Sequence, residues 1–336
     1  ALQMMGELRE LQREEAREVL RILREKTDSI RPFLYMLEAS QEALVVFDSL
    51  YARARAALAW DGTAPTLLPA ATQEVDIVHG RHPLLLASGD CEVVPFDLSL
   101  EPGERVLVVS GPNTGGKSVF LKALGLIASL AQSGVIPPVG KGTRIPLFSE
   151  IFADIGDEQS IVESLSTFSA HLANLREVLE GADSSAMVLI DEMGTGTDPG
   201  EGAALARAIL EFLTEEGALT IVTSHLGALK QLDTADSGVV NASLEFDRDS
   251  LSPTYRFLQG VPGSSEAISI ARRLGFPEPL VLEARDHLGG EKEAVESLLQ
   301  DLQARRAAQD EARAELDRER EEARALADKA QERMER

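Results

Sequence analysis

The sequence predicts an α/β fold, a parallel sheet covered by helices on both faces. Three short apolar runs, RVLVVS (105–110), MVLI (187–190) and LTIVT (219–223), alternate with longer helical patterns. Continuous apolar runs suit strands buried on both sides, whereas a strand with one wet face would alternate. The first run leads directly into GPNTGGKS (111–118), and a helical pattern follows over 119–131. The second run ends in Asp191-Glu192 and the third in Ser224-His225.

The flanks read differently. Leu8, Leu11, Val19, Ile22 and Leu23 sit near helical spacing among Glu and Arg, which predicts amphipathic helix over residues 1–60. Pro32 marks a break, or the first turn of a second helix running to Trp60. This lever segment is expected to form a helical hairpin supporting the domain at 61–289, which opens on the turn signal DGTAP (61–65). Pro262-Gly263 and Gly275-Phe276-Pro277 bracket a short helical segment at 266–274. Beyond Gly289-Gly290 the residues are almost only Ala, Glu, Arg and Leu, with Val295, Leu299, Leu302, Leu316, Leu326 and Met334 among dense charge. That composition predicts a long helix over 290–336, as a coiled-coil arm or a solvated single helix.

Composition narrows the function classes. The 336 residues, 44% hydrophobic and 26% charged, suit two globular units or one domain with helical extensions. No run of about 18 apolar residues is present, so no membrane partner is expected. Cys91 is the only cysteine, which excludes an intrachain disulfide and fits a reducing cytoplasm. The five histidines (79, 82, 171, 225 and 287) form no zinc pattern. A formal charge of −23 opposes phosphate neutralisation, so the chain alone should bind DNA or RNA weakly. The start at Ala1 and the uncapped end suggest a fragment whose nucleic-acid grip lies elsewhere.

GPNTGGKS satisfies G-x-x-x-x-G-K-[ST] between a predicted strand and a predicted helix. Gly111, Gly115 and Gly116 let backbone N–H groups converge on phosphate oxygens, and the helix adds its positive end. Lys117 would then neutralise the β- and γ-phosphates of ATP, and the Ser118 hydroxyl would ligate Mg²⁺. Asp191, at a strand end about 70 residues later, is placed to hold Mg²⁺ through water, as a Walker-B carboxylate does. Glu192 is placed to activate the attacking water. A His after a strand is more often structural; beside the other two motifs, His225 is expected to sense the γ-phosphate.

GPNTGGKS, SLSTFSAHL (164–172), DEMGTGTDP (191–199) and TSH (223–225) resemble, in order and spacing, the MutS family ATPase. GRHPLL (80–85) looks like that family's entry segment. The NTGG and MGTGTDP forms, with the charged arm, are most similar to MutS subfamily two, whose arm leads towards a C-terminal Smr nuclease domain. The resemblance implies a P-loop NTPase of ABC/MutS type acting as a homodimer, with a dimerisation segment at about 260–289. It implies nucleotide contacts along Gly111, Pro112, Asn113, Thr114, Gly115, Gly116, Lys117, Ser118 and Val119. Ser166 and Thr167 would complete the partner's site, with Thr197 and Asp198 along the interface. Tyr255 would lie against adenine, although a strand Tyr is more often packing.

As full-length partners the resemblance suggests branched DNA, with suppression of homologous recombination, or collided ribosomes, with subunit splitting. No nuclease activity is expected in this chain. A mismatch-repair MutS would need an N-terminal mismatch-reading domain, and the charged arm speaks against it. An SMC-like mechanical ATPase would need a coiled arm between the two phosphate-site motifs, for which about 70 residues are too few.

Overall fold

The computed structural model describes residues 2–69, 72–112, 115–156, 164–247, 252–263 and 267–288, with single helical positions between 298 and 323. Of residues 164–170 only the helical backbone is described. The arm expected at 290–336 otherwise lies outside the described residues. The chain divides into two units, residues 1–56 and 57–336.

In the first unit, α1 (Leu2–Ile30) passes through a 3₁₀ turn (Arg31–Phe33) into α2 (Leu34–Ala59). Pro32 sits in the first turn of the 3₁₀ segment, where its missing N–H is harmless. Ile30 and Leu34, on either side, both keep right-handed helical dihedrals, so the backbone is not reversed there. All described side chains from 4 to 55 are exposed. The expected hairpin is therefore not formed, because a hairpin needs residues that leave the helical region and two faces that bury each other.

The second unit contains β1 (Thr66–Leu68), β2 (Val75–Gly80), α3 (Pro83–Ser88), β3 (Phe96–Leu100), β4 (Val106–Ser110) and α4 (Lys117–Gln132). It continues through β5 (Arg144–Pro146), β6 (Glu150–Asp154), α5 (Ser164–Gly181), β7 (Ala186–Ile190), α6 (Pro199–Glu216) and β8 (Leu219–Ser224). It ends with β9 (Val239–Asp247), β10 (Ser252–Gln259), α7 (Ala267–Arg273) and α8 (Glu278–Leu288). Six strands form the main sheet in the order β10-β9-β4-β8-β7-β6, parallel apart from β10.

Every residue of β4, β7 and β8 is buried, because each strand face meets a layer. Leu107 and Val109 pack with Leu121, Leu124 and Ile127 of α4. Their neighbours Val106 and Val108 point the other way, to Leu175 and Val178 of α5 and Leu210 and Leu213 of α6. Each such leucine contributes roughly 1.5–3 kcal/mol of burial free energy.

A smaller sheet, in the order β1-β5-β2-β3, packs into the α4 side of the core. Its strand β3 alternates buried and exposed residues, as a sheet with one wet face requires. Phe120 of α4 stacks on Phe257 of β10 at 4.5 Å and meets Phe96 of β3 edge-on at 4.9 Å. The Gln259 side chain accepts from Ser99 N at 3.1 Å and donates to Ser99 O, joining β10 to β3.

At the amino end of the main sheet Arg105 is 3% exposed. Its guanidinium donates to the carbonyls of Gly217 (2.6 Å), Ser184 (3.4 Å) and Gln73 (3.5 Å). Burial disfavours the charge and shifts its pKa below the ordinary arginine value, and the three carbonyls that accept from the guanidinium offset that cost. Arg105→Met keeps the length and removes all three donors, and is expected to lower stability by about 2–3 kcal/mol. Denaturant unfolding checks this, and an unchanged midpoint would show that the carbonyls find other donors.

Candidate functional site

The strands β4, β7 and β8 end at one edge of the sheet, and the polar residues of the three motifs gather there. The loop after β4 turns on Gly111 (φ 136°) and Gly116 (φ 89°), dihedrals that L-side chains rarely adopt. Asn113 and Thr114 lie outside the described residues. Gly115 N donates to Pro112 O at 3.1 Å, which tightens the loop. Gly116 caps the amino end of α4, whose first turn carries Lys117, Ser118 and Val119.

Lys117 is 3% exposed. Its Nζ donates to Gly111 O (2.6 Å) and Pro112 O (3.0 Å), so the ammonium lies inside the curl of the loop. Burial lowers its pKa to about 8, while the nearby carboxylates of Glu192 and Asp191 favour the charged form. Ser118 is half-buried, and Val119 points outward at 42% exposure.

The Asp191–Glu192 pair is fixed by a residue to which the sequence assigned no separate role. Thr223, fully buried at the end of β8, donates its hydroxyl to Asp191 Oδ1. The same hydroxyl accepts from Glu192 N at 2.8 Å. Met193 N donates to Thr223 O at 2.9 Å and continues the link. Glu192 itself adopts φ 51°, a left-handed turn that costs a non-glycine residue about 1–2 kcal/mol. That turn leaves the strand direction, and the Glu192 Oε1 lies 3.8 Å from His225 Nε2. Burial and then Lys117 lower the His225 pKa; Glu192 and a hydrogen bond with the Gly111 backbone oppose them. His225 is therefore mostly neutral at pH 7, able to donate through one nitrogen and accept through the other.

Tyr255 is not core packing. Its strand is bulged between Pro253 and Phe257, its φ is 60°, and the side chain is 52% exposed. The ring lies over the glycine loop: a Cβ on Gly116 would come within 3.0 Å of Tyr255 Cδ1. An exposed aromatic face thus flanks the phosphate-binding candidates.

Ser166 and Thr167 are in the first turn of α5, and their side chains lie outside those described. Asp198 caps α6, accepting from Gly200 N (2.9 Å) and Glu201 N (3.2 Å). Residues 261–263 also reach the site. Gly263 N donates to the buried Ser110 Oγ at 2.7 Å, and Gly263 O accepts from Lys230 Nζ at 2.5 Å. A Cβ on Gly263 would meet Ser110 backbone at 2.7 Å and Gly111 Cα at 2.8 Å. Gly263→Ala is therefore expected to displace the start of the glycine loop and to weaken nucleotide binding about tenfold or more. Nucleotide titration of the variant checks this, and unaltered affinity would mean that the segment yields instead of the loop.

Fold and site together define the class: an α/β domain whose parallel sheet gathers a glycine loop, a buried lysine and two carboxylates at one edge. The family profile described as MutS domain V matches residues 107–290. The chain belongs to the MutS family, of which domain V is the ATPase core, and falls with its subfamily two.

Three similar proteins bear the name Endonuclease MutS2. That of Gemmatimonas aurantiaca is 54% identical over 91% of this chain and 37% of the relative. That of Pelotomaculum thermopropionicum is 48% identical over 96% of this chain and 40% of the relative. That of Thermotoga maritima is 42% identical over 96% of this chain and 42% of the relative. The chain spans about two fifths of the length of these relatives. Among the described residues no helix is long and apolar enough to cross a membrane.

Proposed function

We propose that this chain is a Mg²⁺-dependent ATPase with a P-loop nucleotide site, working as a homodimer within a longer MutS2-type protein. The observation that carries the reading is the buried Lys117 held in the field of Asp191 and Glu192 at the mouth of a positive-φ glycine loop. Such a site is built to exchange loop carbonyls for phosphate oxygens.

In this reading the backbone of 111–116 cradles the phosphates, Lys117 neutralises the terminal ones, and Tyr255 offers its ring to the base. The donor set available to a cation, the Ser118 hydroxyl and the Asp191 carboxylate, is all oxygen and suits Mg²⁺ with several waters retained. Bound Mg²⁺ would supply charge neutralisation at the β- and γ-phosphate oxygens. Glu192 takes the proton of the attacking water, and neutral His225 orients that water or reports the γ-phosphate. Thr223 holds the Asp191 carboxylate and the Glu192 backbone in register.

A second subunit supplies Ser166 and Thr167 to the γ-phosphate, with Asp198 at the interface. Support for dimerisation comes from α7, α8 and the turn between them, where Leu274, Phe276, Leu280 and Leu282 are each at least 50% exposed. The relatives' name, an endonuclease, points to nucleic acid as the target of the whole protein; the sequence resemblance suggests branched DNA or the ribosome. We assign this chain the ATP chemistry that drives such engagement.

The test is release of phosphate from ATP by the purified chain with Mg²⁺, its loss on chelation and its recovery on returning Mg²⁺. Hydrolysis indifferent to chelation would overturn the metal assignment, and absence of ATP binding would overturn the whole reading.

A further inference from the structure

A polar cluster stands apart from the catalytic carboxylates, between α5 and the edge of the main sheet. His171, two turns into α5, brings Nδ1 against Oδ2 of Asp154, the last residue of β6. These side chains are 20% and 15% exposed. Asn174 donates from the same helix to Asp154 Oδ1 at 3.0 Å. One face of α5 thus meets both oxygens of a single carboxylate, Asn174 by a hydrogen bond and His171 by an ion-pair contact.

Asp154 continues the contact to the catalytic strand through its backbone. It lies in register with Ile190 of β7, and its carbonyl accepts from Asp191 N at 2.9 Å. Asp154 thus meets α5 through its side chain and Asp191 through its backbone carbonyl.

Adhesion alone does not explain the cluster. Among the described residues His171 Nε2 is buried with no hydrogen-bond partner, an arrangement that costs about 1–3 kcal/mol. Leu172, Leu175 and Val178 of α5 already supply the apolar contact to the core. Directional polar contacts set a register that apolar packing leaves free to slide.

We propose that Asp154, His171 and Asn174 form a positioning link between the two half-sites that each subunit contributes. The link fixes α5, whose first turn carries Ser166 and Thr167 for the partner's nucleotide, to the strand end that carries Asp191 for the subunit's own. It rests on the reading of Ser166 as acting in trans. Nucleotide that orders Asp191 in one subunit then also sets the segment which that subunit offers across the dimer.

Mixed dimers test this directly. A Lys117→Ala subunit offers only its signature segment, and a Ser166→Arg subunit offers only its nucleotide-binding half. Together they hold one working composite site, so the mixture is expected to hydrolyse ATP where neither parent does. His171→Gln is then placed in one subunit or the other. The link predicts about tenfold slower turnover at saturating ATP for either placement, with ATP affinity changed less than about threefold.

A loss confined to one placement, or no loss, would overturn the link. Parents that fail to complement would defeat the trans reading itself, and the link with it. If His171→Gln loses its fold, seen as lost ATP binding in the Ser166→Arg subunit, Asp154→Asn carries the same test with the same outcomes. It keeps an oxygen acceptor for Asn174.

Discussion

Glu192→Gln is expected to slow ATP turnover by roughly 10²–10⁴-fold while nucleotide stays bound. The substitution keeps size and hydrogen bonding but removes the only function a carboxylate adds at this position, the uptake of a proton from water. The left-handed backbone at Glu192 and the bond from its N–H to Thr223 do not depend on the side-chain charge. Geometry should therefore survive, and with it ATP affinity. In the proposed dimeric reading hydrolysis reopens the closed site, so the variant should also accumulate as ATP-bound dimer. Single-turnover hydrolysis beside equilibrium ATP binding separates the two effects. Turnover near the unsubstituted rate would remove Glu192 from the chemistry and leave Asp191 or His225 as the base.

Lys117→Ala should instead strike at binding itself, weakening ATP by roughly 10²–10³-fold, the usual scale for deleting one side of a buried charge pair. In the free protein its ammonium is satisfied by Gly111 O and Pro112 O, two neutral carbonyls that phosphate oxygens can replace with stronger charged bonds. The same lysine predicts a pH dependence. Burial lowers its pKa to about 8, so above that pH the free protein holds a neutral amine and must take up a proton to bind phosphate. Apparent ATP affinity is expected to be flat below pH 8 and to fall by up to about tenfold per pH unit above it.

The contribution to folding has the opposite sign. The unfolded chain keeps this proton up to about pH 10.4, so between 8 and that value the unfolded state binds more protons and stability rises with pH. Alkaline loss of binding in this window therefore cannot arise from unfolding driven by Lys117. ATP titrations from pH 6.5 to 9.5 check the prediction, and a flat profile would place the lysine's contribution elsewhere.

Three of the six strands of the main sheet were legible in the sequence, because strands covered on both faces write continuous apolar runs, and β4, β7 and β8 are such strands. The glycine loop, Lys117 and the Asp191–Glu192 pair were legible because their spacing is local. The small sheet was not. β1 and β5 are three residues each, and β1 pairs with a strand nearly 80 residues away, so no local period marks them. The hairpin expected of residues 1–60 failed because amphipathic spacing says that a face exists, not which surface covers it. Thr223, Asp154 and Gly263 were missed as site residues for one reason. Their contribution is to hold other residues, and which residues they meet is decided by strand order.

Asp154 illustrates the difference. In the sequence it is one more acid in a chain of 56 acidic residues. In the fold it joins the helix that carries Ser166 to the strand that carries Asp191.

Central to this reading is a nucleotide site completed by a second subunit. The most direct measurement is ATP turnover per chain with Mg²⁺ over protein concentrations spanning monomer to dimer, with mass followed by light scattering. Turnover per chain that rises with the dimer fraction and then levels off is the predicted result. Turnover per chain that is equal for monomer and dimer would contradict a composite site.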